Sequence, residues 1–410
     1  MKILNFGSCN IDYTYLVEEI VVPGETASSY DLVLSCGGKG LNQSIAVARA
    51  GERIFHAGCI GNNGQMLREI LSENGVDVSN LKSLDVPSGH AIIQVNKNGE
   101  NSILLYSGSN DMVTKEFIDS VLENFSCGDV LLLQNEISNV DYIVDKAYRI
   151  GMVIVLNPAP FNKKIKSIDF KQLSYIILNE VEAKGLTGKE HPDEMIQYMQ
   201  EKYPILKIVL TLGRKGCIFA DQDQIVYQPS FKVETVDTTA AGDTFIGYFI
   251  AEIANGKTYT DAIKIACAAS ALAVSKKGSS ASIPSREAVK KAVKELEVRR
   301  IDKTEYLLSQ INRYFEENIK TANLDNLSMK LNYSKNYVSE LIKRNTDKTF
   351  SQLLQEKRCA FAAKLLLETE LPVEEIISKV GYQNKSFFRR KFQEYYKTTP
   401  YRYRKNKNSF

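Results

Sequence analysis

The stretch from Val236 to Phe245, VDTTAAGDTF, sets small residues and a glycine before an acid and then runs into a helix-forming segment. Backbone N–H groups at a helix start lack intrahelical partners, and the helix dipole there favours negative charge. Small residues let a phosphate come close to those N–H groups. A carboxylate at Asp243 can take the proton of a hydroxyl as that hydroxyl attacks phosphorus. Taken alone, a plain N-cap acid explains Asp243 equally well. Three other stretches carry similar chemistry. GGKGLNQS (37–44) is a glycine turn with one lysine that opens a helix. It lacks the GxxxxGK[ST] spacing of a Walker loop and suits a polyhydroxylated ligand or simply a tight turn. NEVE (179–182) sets Asn179 and Glu182 three residues apart, on one face of a helical turn. TLGRKG (211–216) is a glycine turn after an apolar run.

The elements that must position these residues follow from the hydrophobic pattern. KILNFG (2–7), DVLLLQ (129–134), MVIVLN (152–157), YIILN (175–179) and KIVLTLG (207–213) are continuously apolar. That pattern fits strands of a parallel sheet covered on both faces. Helical segments alternate with them, among them 40–51 and 242–256, which makes the first ~300 residues α/β. In open α/β sheets ligands bind beyond the carboxyl ends of strands, where these motifs fall. The exception is 90–108, two strand-like runs around Asn98-Gly99. This is a hairpin signal, and it predicts a small sheet apart from the main one.

The chain has 410 residues, 44% hydrophobic and 25% charged, enough for two or three ordinary folded domains. Seven cysteines without CxxC spacing and three histidines argue against a zinc site or a disulfide framework. Cys36 reads as core rather than reactive. No leader pattern opens the sequence and no apolar run reaches the ~18 residues of a membrane span, so a reduced, cytoplasmic setting and no membrane partner are expected. Residues 1–297 carry 29 Lys and Arg against 36 Asp and Glu, whereas 298–410 carry 23 against 13. An acidic body with a basic tail suggests two different partners, although a solvated basic surface gives the same count.

From Ser285 onward the pattern is helical with short polar breaks. The junction VRRIDK (298–303) has no Gly or Pro, which argues against a flexible tether. Near the end, VEEIISKVGY leads through Gly381 into KSFFRRKFQEYY, where Phe388, Phe392 and Tyr395 form an apolar stripe and Lys385, Arg389 and Arg390 lie elsewhere. Helix, glycine turn and basic helix are the elements of a helix-turn-helix. LDNLSMKLNYSKNYVSELIKR repeats the pattern. It predicts Leu327, Leu331, Tyr337 and Leu341 inside, and Ser334, Lys335, Asn336, Ser339 and Lys343 outside. A helical cap or dimerisation module is the competing reading of such helices.

GGKGLNQS and DTTAAGD, in this order and spacing, resemble the two signatures of the PfkB/ribokinase family of carbohydrate kinases over about 1–295, and the match looks nearest to ribokinase. The resemblance implies a ribokinase-like three-layer α/β sandwich with a small β lid (roughly 11–35 and 88–108) within a kinase domain at 1–297. It implies transfer from ATP to a pentose, D-ribose foremost. Asn10, Asp12, Gly38, Lys39, Gly40, Asn42 and Glu136 would hold the sugar. Asp243 would be the general base, and the N–H groups of Ala240, Ala241 and Gly242 the anion hole. Asn179, Thr211, Gly213, Gly216 and Gly242 would line the ATP side. Cys267 falls where the family lines its adenine pocket and reads as packing. Glu182 would act on Mg²⁺ largely through water. A monovalent cation, K⁺, would sit near Asp237, Thr239, Ala273, Lys276, Gly278 and Ser282, mostly on backbone carbonyls. The lid would also make a homodimer contact.

The tail resembles the DNA-binding domain of AraC-family regulators over about 303–406, with FSQLLQEKRCAFAAKLLLET as the linking helix of an all-α double helix-turn-helix. This implies double-stranded DNA as a partner. Ser334, Lys335, Asn336, Ser339 and Lys343 would meet it from one recognition helix, and Asn384, Lys385, Ser386, Arg389 and Arg390 from the other. The family usually has glycine where this chain has Asp347 and Lys397, at the ends of those helices; a left-handed non-glycine residue costs on the order of 1 kcal/mol. Two rival readings remain at this point: a sugar-sensing transcription factor without catalysis, and a kinase for another furanose such as deoxyribose or a nucleoside.

Overall fold

The computed structural model describes every residue except 163, 164, 166, 297–302, 332, 370 and 406–410. The predicted junction at 298–303 falls almost wholly outside the described residues, as do Asn332 and residue 406. The chain divides into two compact units, Met1–Arg299 and Arg300–Phe410.

The strands of the first unit are β1 (Ile3–Phe6), β2 (Asn10–Leu16), β3 (Asp31–Gly37), β4 (Ile54–Ile60), β5 (Asp77–Ser83), β6 (Gly89–Val95), β7 (Asn101–Tyr106), β8 (Val130–Gln134), β9 (Val153–Asn157), β10 (Tyr175–Asn179), β11 (Lys207–Thr211), β12 (Gly216–Ala220) and β13 (Ile225–Pro229). Nine form one sheet in the order β13-β12-β11-β10-β9-β8-β1-β4-β5. It is parallel from β5 to β11, and β12 and β13 add antiparallel at one edge. The five predicted apolar strands all lie in it. β4, β5, β12 and β13 were not expected: β5 (DVSNLKS) is largely polar, and β13 (IVYQP) ends in proline at the sheet edge.

The helices are α1 (Lys39–Arg49), α2 (Gln65–Glu73), α3 (Lys115–Leu122), α4 (Val140–Ile150), α5 (Glu180–Thr187), α6 (Pro192–Lys202), α7 (Ala241–Ala254), α8 (Tyr259–Val274) and α9 (Arg286–Glu295). One apolar core joins the sheet to α1, α2, α7, α8 and α9, and a second joins its other face to α3, α4 and α6. The result is a three-layer sandwich. Helices α1 and α7 touch so closely that a Cβ at Gly247 would lie 2.3 Å from Ala46 Cβ.

The predicted hairpin is β6–β7, and it belongs to a separate four-stranded sheet in the order β3-β2-β6-β7. β2 leaves the core at Asn10 and runs parallel to β6 and antiparallel to β3. The whole of β7 and the first four residues of β3 are exposed, including Leu32, Val33, Leu34, Ile103, Leu104 and Leu105.

The second unit is helical: α10 (Lys303–Asn318), α11 (Leu324–Leu331), α12 (Lys335–Thr346), α13 (Phe350–Glu368), α14 (Val373–Lys379), α15 (Lys385–Tyr396) and α16 (Pro400–Lys405). It has two small cores. Phe350, Leu353 and Leu354 of α13 join the first, and Cys359, Ala362, Ala363 and Leu366 of the same helix join the second. Two inward assignments are corrected. Tyr337 is exposed and stacks on Tyr333, while Val338, Leu341 and Ile342 fill the core. Tyr395 is exposed too, and Tyr396 instead stacks on Phe392. In α12 the buried stripe is wider than the single row read from sequence, whereas in α15 it is the one row of Phe388 and Phe392.

Candidate active site

The carboxyl ends of neighbouring strands present a row of polar side chains: Gln134 ends β8, Asn157 ends β9, Asn179 ends β10 and Thr211 ends β11. Buried apolar residues precede each, so the polar group falls where the strand emerges. Opposite this row α7 begins. Its N-cap residue, Ala240, is left-handed (φ 56°), which brings Ala241, Gly242 and Asp243 into the first turn. A non-glycine residue in that region costs on the order of 1 kcal/mol, the sort of strain that clusters at functional sites. Ala241 N donates to Thr238 O at 3.3 Å.

Asp243 is buried and doubly held. Asn42 Nδ2 donates to its Oδ2 at 3.1 Å, and Gln43 Nε2 donates to its Oδ1 at 2.9 Å. Both donors come from α1, whose N-cap Gly38 has φ 96°. Lys39 lines the same cleft, and the charge of Asp243 foremost, then those of Glu136 and Glu182, raises its pKa against the effect of burial. The ammonium therefore stays charged. The cleft, about 250 Å³, is also lined by Asn179, Glu182, Thr211, Ala240 and Gly242. Asn179 and Glu182 form a capping box on α5: the Asn179 side chain accepts from Val181 N and Glu182 N, and its Nδ2 donates to Glu182 Oε1 at 2.9 Å. Burial raises the Glu182 pKa, partly offset by the bond from Asn179 N and the charge of Lys39. With both carboxylate oxygens bonded to Asn179, Glu182 fits a Mg²⁺ that arrives with phosphates and keeps its waters.

A second cavity of about 140 Å³ lies beside the small sheet, lined by Asn10, Tyr106, Asn110 and Glu136 among others. Glu136 accepts from Ser8 Oγ and from Lys39 N. Burial raises its pKa, and Lys39 and these hydrogen bonds oppose the rise. Asp12, on β2, has its pKa pushed up to about 7 by burial and then by the Glu136 charge. A buried acceptor, Asn42 Oδ1, has no protein partner, and such an atom fits a ligand hydroxyl.

The other expected residues distribute as follows. Gly40 is buried: its Cβ would meet Ser8 N at 2.4 Å, so it allows α1 to approach the end of β1. Gly213 begins a 3-10 turn and Gly216 opens β12. Cys267 is buried in the core with its Sγ 3.6 Å from that of Cys217. Asp237 ties two loops together: its Oδ1 accepts from Thr239 N and Oγ1, and its Oδ2 from Gly278 N at 2.9 Å. Against burial, these bonds lower its pKa. Asp237 thereby fixes the 237–239 turn against Gly278, the two loops in which the monovalent-cation ligands are expected. Ala273 O accepts from Lys276 N at 3.1 Å, and the buried Ser282 hydroxyl donates to Ser279 O.

Sequence reasoning missed Gln43, Gln134, Asn157 and Asn110. Gln43 follows Asn42 in a motif already singled out, and the amide at each strand end was a readable signal.

The pfkB family carbohydrate kinase profile matches residues 1–286. The chain belongs to the pfkB family of carbohydrate kinases. It is 35% identical to a ribokinase of Haemophilus influenzae over 292 residues, 68% of this chain and 94% of that one. It is 30% identical to a deoxyribokinase of Salmonella typhi over 305 residues, 70% of this chain and 97% of that one. Among solved structures, a ribokinase of Cryptococcus neoformans var. grubii in complex with ADP superposes with a TM-score of 0.64 at 34% identity, covering 71% of this chain and 99% of that one. The kinase unit is thus a ribokinase-like carbohydrate kinase, nearest to ribokinases.

A helix-turn-helix domain profile matches residues 327–406, and the domain is of AraC type. Its two recognition helices are built alike. Ser334 caps α12, accepting from Tyr337 N, and Asn384 caps α15, accepting from Phe387 N at 2.9 Å. Capping thus occupies two side chains expected only at the DNA. Asp347 and Lys397 end these helices in the left-handed conformation, φ 55° and 56°. Asn336, Lys343, Ser386, Arg389 and Arg390 are exposed, and Ser339 is half-buried. Lys385 and Arg389, read as free for an anion, both pair with Glu374 of α14, and Lys335 pairs with Asp325 of α11. No helix among the described residues is long and apolar enough to cross a membrane.

Proposed function

We propose that the chain phosphorylates a pentose with ATP, D-ribose to D-ribose 5-phosphate in the first instance, and also binds double-stranded DNA sequence-specifically as a regulator. The kinase domain spans 1–297 and the DNA-binding domain 303–406. The observation that carries the kinase reading is the Asp243 carboxylate, aimed by Asn42 and Gln43 at the start of α7 in one cleft with Lys39. Asp243 takes the proton of the attacking sugar hydroxyl. The N–H groups of Ala240 and Gly242, joined by that of Ala241 once it leaves Thr238 O, receive charge developing on the transferred phosphoryl group, and Lys39 neutralises it. Asn10, Asp12, Gly38, Lys39, Asn42 and Glu136 hold the sugar under the lid, and Asn42 Oδ1 accepts from a sugar hydroxyl. Asn179, Thr211, Gly213 and Gly216 face the nucleotide. Glu182 would hold Mg²⁺, largely through water, where the ion would neutralise phosphate charge, and the Asp237 and Gly278 loops would hold K⁺, which would add fixed positive charge near the start of α7. A structure of Arabidopsis thaliana ribokinase complexed with ribose and ATP, 26% identical with a TM-score of 0.64, supports this choice of ligands.

The exposed apolar edges of β3 and β7 support a homodimer through the lid, since unpaired edge strands seek partners. The test of function is ADP release with D-ribose, 2-deoxy-D-ribose and nucleosides in Mg²⁺ and K⁺, and identification of the phosphorylated product. Asp243→Asn should lower kcat by about 10³-fold or more while sugar and ATP still bind. Full turnover by this variant would overturn the base assignment. Ribose binding without turnover by the unaltered protein would favour a sensor.

A further inference from the structure

Gln43 is fully buried in α1 and touches Asp243 with Nε2 at 2.9 Å. The same Nε2 reaches Asn157 Oδ1 at 3.3 Å, and Gln43 Oε1 accepts from Gln134 Nε2 at 2.7 Å. Gln134 Nε2 also donates to Asn5 Oδ1 at 3.0 Å, and Asn5 Nδ2 donates to Gly40 O at 2.7 Å and to Ser44 Oγ at 2.8 Å. An amide can be turned over without changing its shape, so its polarity must come from its partners. Here it comes from two backbone carbonyls, which can only accept. Gly40 O sets Asn5, which sets Gln134, which sets Gln43. On the other side, Asn157 Nδ2 donates to Ile177 O at 2.9 Å, leaving its Oδ1 to accept from Gln43. Both ends require Gln43 to present its NH₂ to Asp243.

We infer that Gln43 is a positioning residue for Asp243, held in the donor orientation by a buried amide relay through Gln134 and Asn5. The inference rests on Asp243 being the base. Three strands and α1 contribute to the relay, so the base is aimed from the sheet rather than from α7 alone. A donor on Oδ1 favours the ionised carboxylate and fixes its rotation, leaving the proton to be taken at Oδ2. Asn42 at Oδ2 donates from a side chain whose own Oδ1 has no protein partner. That bond is the one a sugar hydroxyl can rearrange, whereas the Gln43 bond is locked.

The test is Gln43→Met in the full chain, with kcat–pH profiles, KM for sugar and ATP, and thermal unfolding. The expected result is a kcat about tenfold or more lower, both KM values within about threefold, and an acid limb displaced upward by about one pH unit. A role in packing alone would lower the melting temperature and leave the acid limb in place, and that result overturns the inference. If Gln43→Met does not fold, Gln134→Met decides, since it leaves every atom touching Asp243 in place. A smaller displacement in the same direction supports the relay, and an unmoved limb refutes it. An unaltered protein without transferase activity would fell the reading of Asp243 itself, and the inference with it.

Discussion

Gly242→Ala should stabilise the kinase unit and disable it. Gly242 is the second residue of α7, and its φ is not positive. A Cβ built there meets nothing within 4 Å, because it enters the cleft shared by Lys39 and Asp243. Within a helix, alanine is favoured over glycine by roughly 0.5–1 kcal/mol, and part of that gain comes from restricting the unfolded chain. Near the helix start the lower figure applies, which raises the melting temperature by about 1–2 °C for a unit of this size. The same methyl stands where a phosphoryl group must approach the first-turn N–H groups. Loss of one such donor costs about 10²–10³ in kcat, or ~3–4 kcal/mol. The assay pairs calorimetry of the full chain, read at the kinase transition, with steady-state ADP release. A variant that keeps kcat within about threefold would refute the phosphate path. One destabilised by more than about 1 kcal/mol would refute the openness of the site.

Asp12 should make the kinase unit less stable as pH rises. Its unfolded value lies near 3.8 and its folded value near 7, raised by burial and then by Glu136, so the folded state binds the extra proton. This contribution is whole below the lower value and is lost as pH climbs through the higher one. Melting temperatures at pH 5 and pH 8 should differ less in Asp12→Asn than in the parent chain, and an equal difference would refute the assignment. In the tail, Glu374→Gln should release Lys385 and Arg389 for phosphate. Fluorescence anisotropy with duplex DNA should show tighter binding at low salt and a log K against log [salt] slope steeper by about 1–2. Weaker or unchanged binding would count against the pairing as a brake.

The main sheet was legible because its central strands are unbroken apolar runs, which only burial on both faces explains. β4 and β5 were not, since IFHAGCI and DVSNLKS mix polar and small residues; their place is set by tertiary pairing rather than local pattern. At the site, the glycine motifs and Asp243 stood out because helix starts and tight turns have local signatures. Gln43 did not, because a glutamine in a helix is unremarkable until Gln134, 91 positions away, is seen to hold it. Likewise Lys385 and Arg389 read as free cations because ion pairs between helices leave no mark in helical periodicity.

Helix α13 serves both cores of the DNA-binding unit with one unbroken run of 19 residues. At ~1.5 Å per residue it is about 28 Å long, close to the ~34 Å repeat of successive major grooves. It is therefore a ruler and a phase setting at once. On the proposed reading, changes on the outer faces of α12 or α15 would alter which bases each half reads, one half at a time. The distance and twist between the two halves offer no such freedom. One residue inserted in α13 would turn one half by ~100° against the other while both stayed folded. If both halves read DNA, an operator sequence would drift far more readily than an operator spacing.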